Sequence, residues 1–217
     1  VIGIFTAVLK TAKEKNIKLV MYGEDGEAEY GGSTYLKEKS FFTPDFIKNI
    51  YFEKKYEKTI KHAKKNDMHW WLFNDSKTKL SHWSYYENWD SYRNYLVAKN
   101  KYGLEEKKDK NIGTYTNYGQ NDTHLYDLHA YLMYLKFGFG RCTNDIGIDI
   151  RRGAMTRDQG VQLANIYDNE FPENKIPLYL DYFNITKKQF DNTIDKFANK
   201  SLFKKYKNKW KAKFNIK

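Results

Sequence analysis

The sequence predicts an α/β protein that begins with a helix, a strand and a loop and continues as a mainly helical chain. Residues 3–15 carry apolar side chains at helical spacing, and the mostly apolar run 17–22 ends directly at Gly23. From residue 90 onward, helix start and stop signals follow one another. A helix, a buried strand and a glycine–acid loop are typical of an α/β sheet, whose ligands bind at the carboxyl ends of the strands.

The composition limits the class of protein. A chain of 217 residues with 41% hydrophobic residues can form one large domain, or a domain with an appendage. No apolar run reaches the ~18 residues of a membrane helix, and no signal peptide is recognisable, so we expect a cytoplasmic protein without a membrane span. The single cysteine, Cys142, excludes an internal disulfide framework. We interpret it as a small buried side chain rather than a nucleophile.

The net charge of +11 raises the question of a nucleic-acid partner. Lysines are spread along the whole chain, however, so nucleic acid is not the favoured partner. Only residues 200–217 carry charge of a single sign, with eight lysines and no acid. We expect this tail to be a solvated terminal helix, and an anion-binding surface is the alternative.

The first predicted elements place one acid at a strand end. Asn16 ends the first helix, and Glu24 follows Gly23 directly after the strand. Glu24 is therefore placed to meet a ligand, although a plain strand-to-loop turn explains it equally well. Residues 27–42 are expected to be a loop, and a capped helix is expected over about 43–65.

Further helices are predicted from their end signals. Asp90 starts a helix that Gly103 ends, residues 104–122 are polar loop, and a helix covers roughly 123–137. Two capping boxes, in which a threonine precedes a glutamine by three residues, start two more helices. They are Thr156 with Gln159 and Thr186 with Gln189.

Residues 131–159 combine a paired-glycine turn with alternating charges. Gly138 and Gly140 bracket Phe139, which allows a sharp turn or a close approach of the backbone to a ligand. The charged residues of the segment include Lys136, Arg141, Asp145, Asp149, Arg151 and Arg152. A solvated, salt-bridged helix junction and a ligand site both explain this pattern.

His129 and Lys136 lie seven residues apart and therefore share a helical face. One interpretation is that they face a polar cavity shared with Arg141, whose planar guanidinium suits phosphate or carboxylate. The alternative for Lys136 is a favourable position at a helix C-terminus, which contributes ~0.3–1 kcal/mol. His124 and Asp127 form only a weak metal candidate with His129, so no metal site is predicted. The sequence contains no GxSxG, Walker or GxGxxG motif.

Several segments, in this order, are similar to the N-acetyl sugar amidotransferases of bacterial surface-polysaccharide synthesis. The resemblance covers most of the chain, and its most specific part is HAYLMYLKFGFGR followed by IDIRRGAMTRDQG. The other segments are IGIFTAVLKTAKEKNIKLVMYGE, EYGG and the pair Trp89–Asp90. The run Asn144–Asp145–Ile146–Gly147 departs from the family's acid/His/small pattern.

This resemblance implies a fold and a domain organisation. It implies the C-terminal part of an adenine-nucleotide-hydrolase-like (PP-loop, Rossmann-like) parallel-sheet domain in residues 1–42. A mainly helical substrate and partner region would follow in residues 43–217. The family's SGGKDS loop and its cysteine pairs do not occur in the sequence. We therefore expect this chain to be the C-terminal portion of a longer protein.

The resemblance also implies a reaction and its participants. ATP, with Mg²⁺, would activate the acetamido group of a nucleotide-activated N-acetyl sugar, and ammonia would convert it to an acetamidino group. A glutaminase subunit and a cyclase-like barrel subunit, resembling those of histidine synthesis, would supply the ammonia.

The same resemblance implies roles for individual residues. Gly23 and Glu24 would lie near ATP or the activated substrate. Lys136 and Arg141 would stabilise negative charge, and His129 would orient the substrate or move a proton. Four residues would complete or support the site: Asp145, Arg151, Gly138 and Gly140. The alternative is a basic, non-catalytic module that binds a polyanion or nucleic acid, and a scaffold for the other subunits is a third reading.

Overall fold

The structure is a computed structural model that describes residues 2–23, 40–42, 57–58, 61, 65, 77–87 and 89–216. The chain forms two compact units, Val1–Trp89 and Asp90–Lys217, which are described separately below. This boundary reflects which residues pack together, and it does not test the predicted functional domains. The assignment of residues 1–42 to a nucleotide-binding domain and of 43–217 to a helical region stays a prediction.

The first unit contains the predicted helix and strand. Helix α1 spans Ile2–Glu14, and Asn16 follows it with a φ of 55°. Strand β1, Leu19–Tyr22, pairs in parallel with β2, Lys79–His82. The prediction of a helix followed by a strand is therefore confirmed. Residue 42 adds a single antiparallel bridge to Leu80.

Strand β1 is less buried than its apolar sequence indicates. Leu19 is 49% exposed and Met21 is 41% exposed, whereas Val20 and Tyr22 on the other face are half-buried. The expectation of a buried strand is therefore wrong for the face that carries Leu19 and Met21. In the part of the chain that the structure describes, β2 is the only strand paired with β1. A larger PP-loop sheet stays a prediction.

Some predicted features of this unit lie outside the described residues. They include Glu24, most of the loop predicted over 27–42 and most of the helix predicted over 43–65. Residues 57, 58, 61 and 65 are helical.

The second unit is mainly helical, as predicted. Its elements are α2 (Ser91–Tyr102), α3 (Tyr126–Phe137), α4 (Arg141–Arg151), α5 (Arg157–Tyr167), α6 (Ile176–Phe183), α7 (Lys187–Phe197), β3 (Phe203–Tyr206) and β4 (Lys209–Ala212). Asp90 caps α2 by accepting a hydrogen bond from the Arg93 backbone at 3.0 Å, and Gly103 ends that helix with a φ of 71°. None of the helices in the described ranges is both long and apolar enough to cross a bilayer.

Both predicted capping boxes are present. Thr156 and Gln159 satisfy each other's backbone N–H groups at the start of α5, and Thr186 and Gln189 do the same at the start of α7. These caps depend on residues three positions apart, which is why the sequence alone reveals them.

Helix α3 lies at the centre of the main core. Its Leu135 is fully buried there, as is Tyr179 of α6. Helix α7 contributes Phe190, and β3 contributes Phe203. A second cluster joins α4 and α5 through Cys142, Ile146 and Ala164. The core therefore fixes α4, the charged helix of the sequence, against α5.

The lysine-rich tail forms a hairpin, so the expectation of a terminal helix is wrong. β3 and β4 pair antiparallel, with Phe203 opposite Ala212 and Lys205 opposite Trp210. Lys207 makes the turn with a φ of 53°. Side chains alternate between the two faces of a strand, and the pairing register places Phe203 and Ala212 on the face that packs into the core. The density of lysines obscures that pattern in the sequence.

Gly160 allows the close packing of α5 on α4. A Cβ atom at Gly160 would lie 2.5 Å from Cγ2 of Ile146, whereas one at Gly147 would lie 3.2 Å from the flexible Arg151 guanidinium. Both glycines are inside helices, so alanine gains the same helix propensity at each. We expect Gly160→Ala to be less stable than Gly147→Ala by about 1–3 kcal/mol, because it overpacks the core. Urea unfolding of the two variants measures this difference, and equal stabilities would contradict it.

Candidate functional site

A buried ion pair lies on the first turns of α4. The Nε atom of Arg141 donates to Oδ1 of Asp145 at 2.8 Å, and the two side chains are only 14% and 7% exposed. The other carboxylate oxygen accepts a hydrogen bond from the Thr114 hydroxyl at 2.6 Å. Thr114 is itself buried and belongs to the polar loop 104–122. This loop therefore packs on α4 and supplies a partner that the sequence did not reveal.

The loop is fixed by its own buried amide. Asn111 is 3% exposed, and its side chain donates to the backbone oxygen of Gly119 at 2.7 Å. Lys107 donates to the same side chain at 2.5 Å. Glu170, from the segment after α5, accepts from the Gly113 backbone at 2.9 Å and from Lys110 at 2.5 Å. An irregular segment is thus held in place by side-chain hydrogen bonds.

Burial changes the acid–base behaviour of Asp145. Its desolvation raises the pKa of the carboxyl above the ordinary value, and the attraction of Arg141 and the hydrogen bond from Thr114 oppose that rise. The ion pair in turn orients the guanidinium of Arg141. Its Cζ lies 6.0 Å from the centroid of the Tyr126 ring, and the ring of His129 lies 5.9 Å from the same ring.

A second polar network follows along α4. The Tyr115 hydroxyl donates to Asp149 at 2.6 Å, and Arg152 donates to the other oxygen of Asp149 at 2.7 Å. Arg152 also lies 3.9 Å from Asp90, the cap of α2, and its guanidinium lies 5.4 Å from the Tyr92 ring. Arg152 therefore links α4 to α2. The spacing of Asp149 and Arg152 could have revealed their pair, whereas nothing in the sequence pointed to Tyr115.

The N-terminus of α4 is closed by Asp168. Its carboxylate accepts from the Thr143 backbone at 3.0 Å and from the Thr143 hydroxyl, and backbone groups of Gly140 and Cys142 also hydrogen-bond to it. Burial nevertheless raises the pKa of Asp168. A Cβ at Gly140 would lie 2.8 Å from that carboxylate, so the close approach that Gly140 permits is to Asp168. Asp168 was not predicted from the sequence.

Lys136 lies apart from this cluster. It is exposed, and its Nζ lies 5.3 Å from the centroid of Phe197 on α7. Gly138 ends α3 with a φ of 85°, and a Cβ there would lie 3.3 Å from Leu202 and from Phe214. The sequence suggested one cavity for His129, Lys136 and Arg141. The structure places His129 and Arg141 beside Tyr126 and gives Lys136 a different neighbour.

The remaining predicted residues have separate surroundings. Arg151 is exposed and folds back toward Gly147, while its neighbour Arg152 makes the ionic contacts. Gly23 follows β1 in the first unit, and a Cβ there would meet no atom of the described residues within 4 Å. Glu24 lies outside the described residues, so the role of both residues near ATP stays a prediction.

The weak metal candidate has other partners. Asp127 is 3% exposed and pairs with Lys175, while His124 and His129 are exposed. Within the described ranges, no three His, Cys, Asp or Glu side chains are grouped to hold a metal ion. Cys142 is fully buried, and this burial raises the pKa of its thiol.

Helix α4 and the loop residues bound to it lie within a segment that matches a known protein family. Residues 112–217 match the family described as "LPS biosynthesis protein WbpG-like, C-terminal domain". The match covers just under half of the chain. It supports a similarity of these residues to the C-terminal region of an LPS biosynthesis family. This WbpG-like region contains Thr114, Arg141, Asp145 and Asp168, and thus the whole Arg141 network. No curated protein matches the chain.

Cys142 should be inert toward alkylation in the folded protein. Its side chain is 0% exposed, and burial disfavours the reactive thiolate. Iodoacetamide labelling at pH 8, followed by mass spectrometry, should therefore modify the native protein far more slowly than the same protein unfolded in guanidinium. Equal labelling rates in the two states would contradict a buried thiol.

Asp145 should make the protein's stability depend on pH. Its pKa is raised above 3.8 by burial, so the folded protein holds this proton more tightly than the unfolded chain does. Its contribution to the free energy of unfolding is full below the unfolded-state pKa and is lost as the pH rises through the folded-state pKa. Urea unfolding over a pH series measures this contribution as the difference in the free energy of unfolding between wild type and Asp145→Asn. A difference that grows in favour of wild type with rising pH would refute the assignment.

Proposed function

We propose that this chain is the C-terminal part of an ATP-dependent amidotransferase acting on a nucleotide-activated N-acetyl sugar in LPS or surface-glycan synthesis. The observation that supports it most is the WbpG-like match over residues 112–217. That region includes the whole of the HAYLMYLKFGFGR and IDIRRGAMTRDQG segments and all of the Arg141 network. The parallel β1–β2 pair supports the further proposal of an adenine-nucleotide-hydrolase-like sheet.

The proposed reaction replaces the carbonyl oxygen of the sugar's acetamido group by nitrogen. That oxygen first becomes bonded to the α-phosphorus of ATP, and pyrophosphate leaves. Ammonia then adds to the acetamido carbonyl carbon, and the oxygen leaves with AMP, so that an acetamidino group remains. ATP is needed because an amide oxygen is a poor leaving group. In this proposal Mg²⁺ accompanies ATP, and a cytoplasmic glutaminase with a barrel subunit supplies the ammonia.

The described residues suit the handling of negative charge. The Nε atom of Arg141 is bound to buried Asp145, which fixes the plane of the guanidinium beside Tyr126. A preoriented guanidinium stabilises developing charge without reorganisation during the reaction. His129 contacts the same ring and is exposed, so it is placed to orient a substrate or move a proton. Asp145 acts as a positioning residue.

The reaction is tested with the full-length natural protein that contains this chain. Incubation with ATP, an ammonium salt and a UDP-linked N-acetyl sugar should yield AMP, pyrophosphate and a sugar nucleotide lighter by one mass unit. Omission of ATP or of ammonium is the control. Panels of UDP-, CMP- and dTDP-linked acetamido sugars that give no such product would reject the proposal.

Arg141 and Lys136 are each tested by one variant in this assay. We expect Arg141→Lys to lower kcat/KM by about 100-fold or more, because an ammonium cannot replace the oriented planar guanidinium. Lys136→Ala should also lower it sharply. Arg141→Ala is a poorer variant, since an unpaired buried Asp145 costs about 3–5 kcal/mol of stability.

The exposed Lys188, which has no assigned role, provides the matched control as Lys188→Ala. Circular dichroism verifies the fold of each variant. Near-normal turnover in both Arg141→Lys and Lys136→Ala would refute the assigned roles.

One observation favours the alternative of a polyanion-binding module. The hairpin register places Lys204, Lys211 and Lys209 on the face opposite Phe203, together with Tyr206, which is 54% exposed. Polyanion binding by this face would weaken steeply as the salt concentration rises. Binding of a sugar nucleotide would instead depend on the identity of the sugar.

A further inference from the structure

A large groove lies on the other side of the hairpin. Its volume is about 910 Å³, and it is bounded by α3, the end of α5, α7 and the β3–β4 hairpin. This is within the range of small-molecule sites in proteins, about 300–1,000 Å³. Aromatic side chains line it, including Tyr131, Phe171 and Trp210. All of these residues belong to the second unit and lie outside the Arg141 network.

The groove is not cationic, although the chain carries a net charge of +11. Three of its four carboxylates are paired with lysines: Lys187–Asp191, Lys205–Asp195 and Lys110–Glu170. Lys209 and Lys211 also line the groove, and Glu173 adds a fourth carboxylate to it. A polyanion would therefore meet carboxylates in the groove as often as it meets cations.

One carboxylate in the groove is held in a fixed orientation. Oδ1 of Asp195 accepts from the Trp210 indole N–H at 3.1 Å, and Oδ2 accepts from Lys205 at 2.5 Å. The Asp195 and Lys205 side chains are each 36% exposed, so both still face solvent. Each carboxylate oxygen has a further lone pair that can accept a hydroxyl. Asp191 lies one helical turn away and also lines the groove.

The aromatic rings complete a mixed surface. Tyr131 meets Phe171 edge to face, with ring centroids 4.8 Å apart. Burial raises the pKa of Tyr131 to about 12, so its hydroxyl stays protonated at neutral pH. Trp210 is half-buried and offers part of its ring to the groove. Apolar ring faces thus alternate with groups that donate and accept hydrogen bonds.

We propose that this groove binds an uncharged saccharide through Trp210, Asp191 and Asp195. A pyranose has apolar C–H faces that pack on aromatic rings, and its hydroxyls both donate to carboxylates and accept from lysines. A purely apolar ligand would leave these polar groups unpaired, which is unfavourable. The groove lies within the WbpG-like region and would hold glycan there, and this role does not depend on the amidination reaction.

Titration calorimetry without ATP or ammonia tests the proposal. The probes are N,N′-diacetylchitobiose and maltose as neutral saccharides and heparin as a polyanion. We expect millimolar binding of at least one saccharide that is insensitive to salt. Asp191→Asn should weaken it about fivefold, the scale of one lost hydrogen bond. This variant should fold, because the Lys187–Asp191 pair is about half exposed.

Two further variants sharpen the result. Trp210→Phe keeps a ring but removes the donor to Asp195, and it should also weaken saccharide binding. Asp181→Asn changes an exposed acid outside the groove and should have no effect. The proposal is overturned if neither saccharide binds, if Asp191→Asn binds as tightly as wild type, or if heparin alone binds.

Discussion

The carboxylate of Asp168 fixes the start of α4, and the polar architecture of the second unit depends on that helix. Asp168 receives hydrogen bonds from the first turn and approaches closely because residue 140 is glycine. Once α4 is fixed, Arg141 and Asp145 point to the loop side, while Cys142 and Ile146 pack against α5. One capping interaction from a distant segment thus sets which face of α4 is polar and which is buried.

Three buried carboxylates in this unit are satisfied in three ways. Asp168 accepts mainly backbone and hydroxyl hydrogen bonds, Asp145 pairs with an arginine and a threonine, and Asp127 pairs with Lys175. Because an unpaired buried charge is so unfavourable, each carboxylate specifies the position of its partner segment. In this way the irregular loop 104–122, which has few apolar side chains, acquires a defined position on α4.

The sequence revealed what depends on near neighbours and missed what depends on distant ones. Capping boxes at Thr156 and Thr186 and the helix between Asp90 and Gly103 were confirmed, because each signal lies within one element. Arg141 and Asp145 could be recognised as charges on one helix, but Thr114, which binds Asp145, and Asp168, which caps the helix, come from other segments. The tail was wrongly expected to be helical, because its many lysines leave few apolar side chains to indicate a strand and only Phe203 is buried deeply.

The register of the hairpin sets which side chains share a face with Trp210. Phe203, Lys205, Trp210 and Ala212 share one face, and the neighbouring lysines share the other. Because side chains in a strand alternate, inserting a single residue ahead of Trp210 would exchange the two faces of β4. Lysines would then replace the indole against Asp195. Substitutions on the outer face leave this arrangement intact, so the length of the turn constrains this hairpin more strongly than the identity of its outward-facing residues.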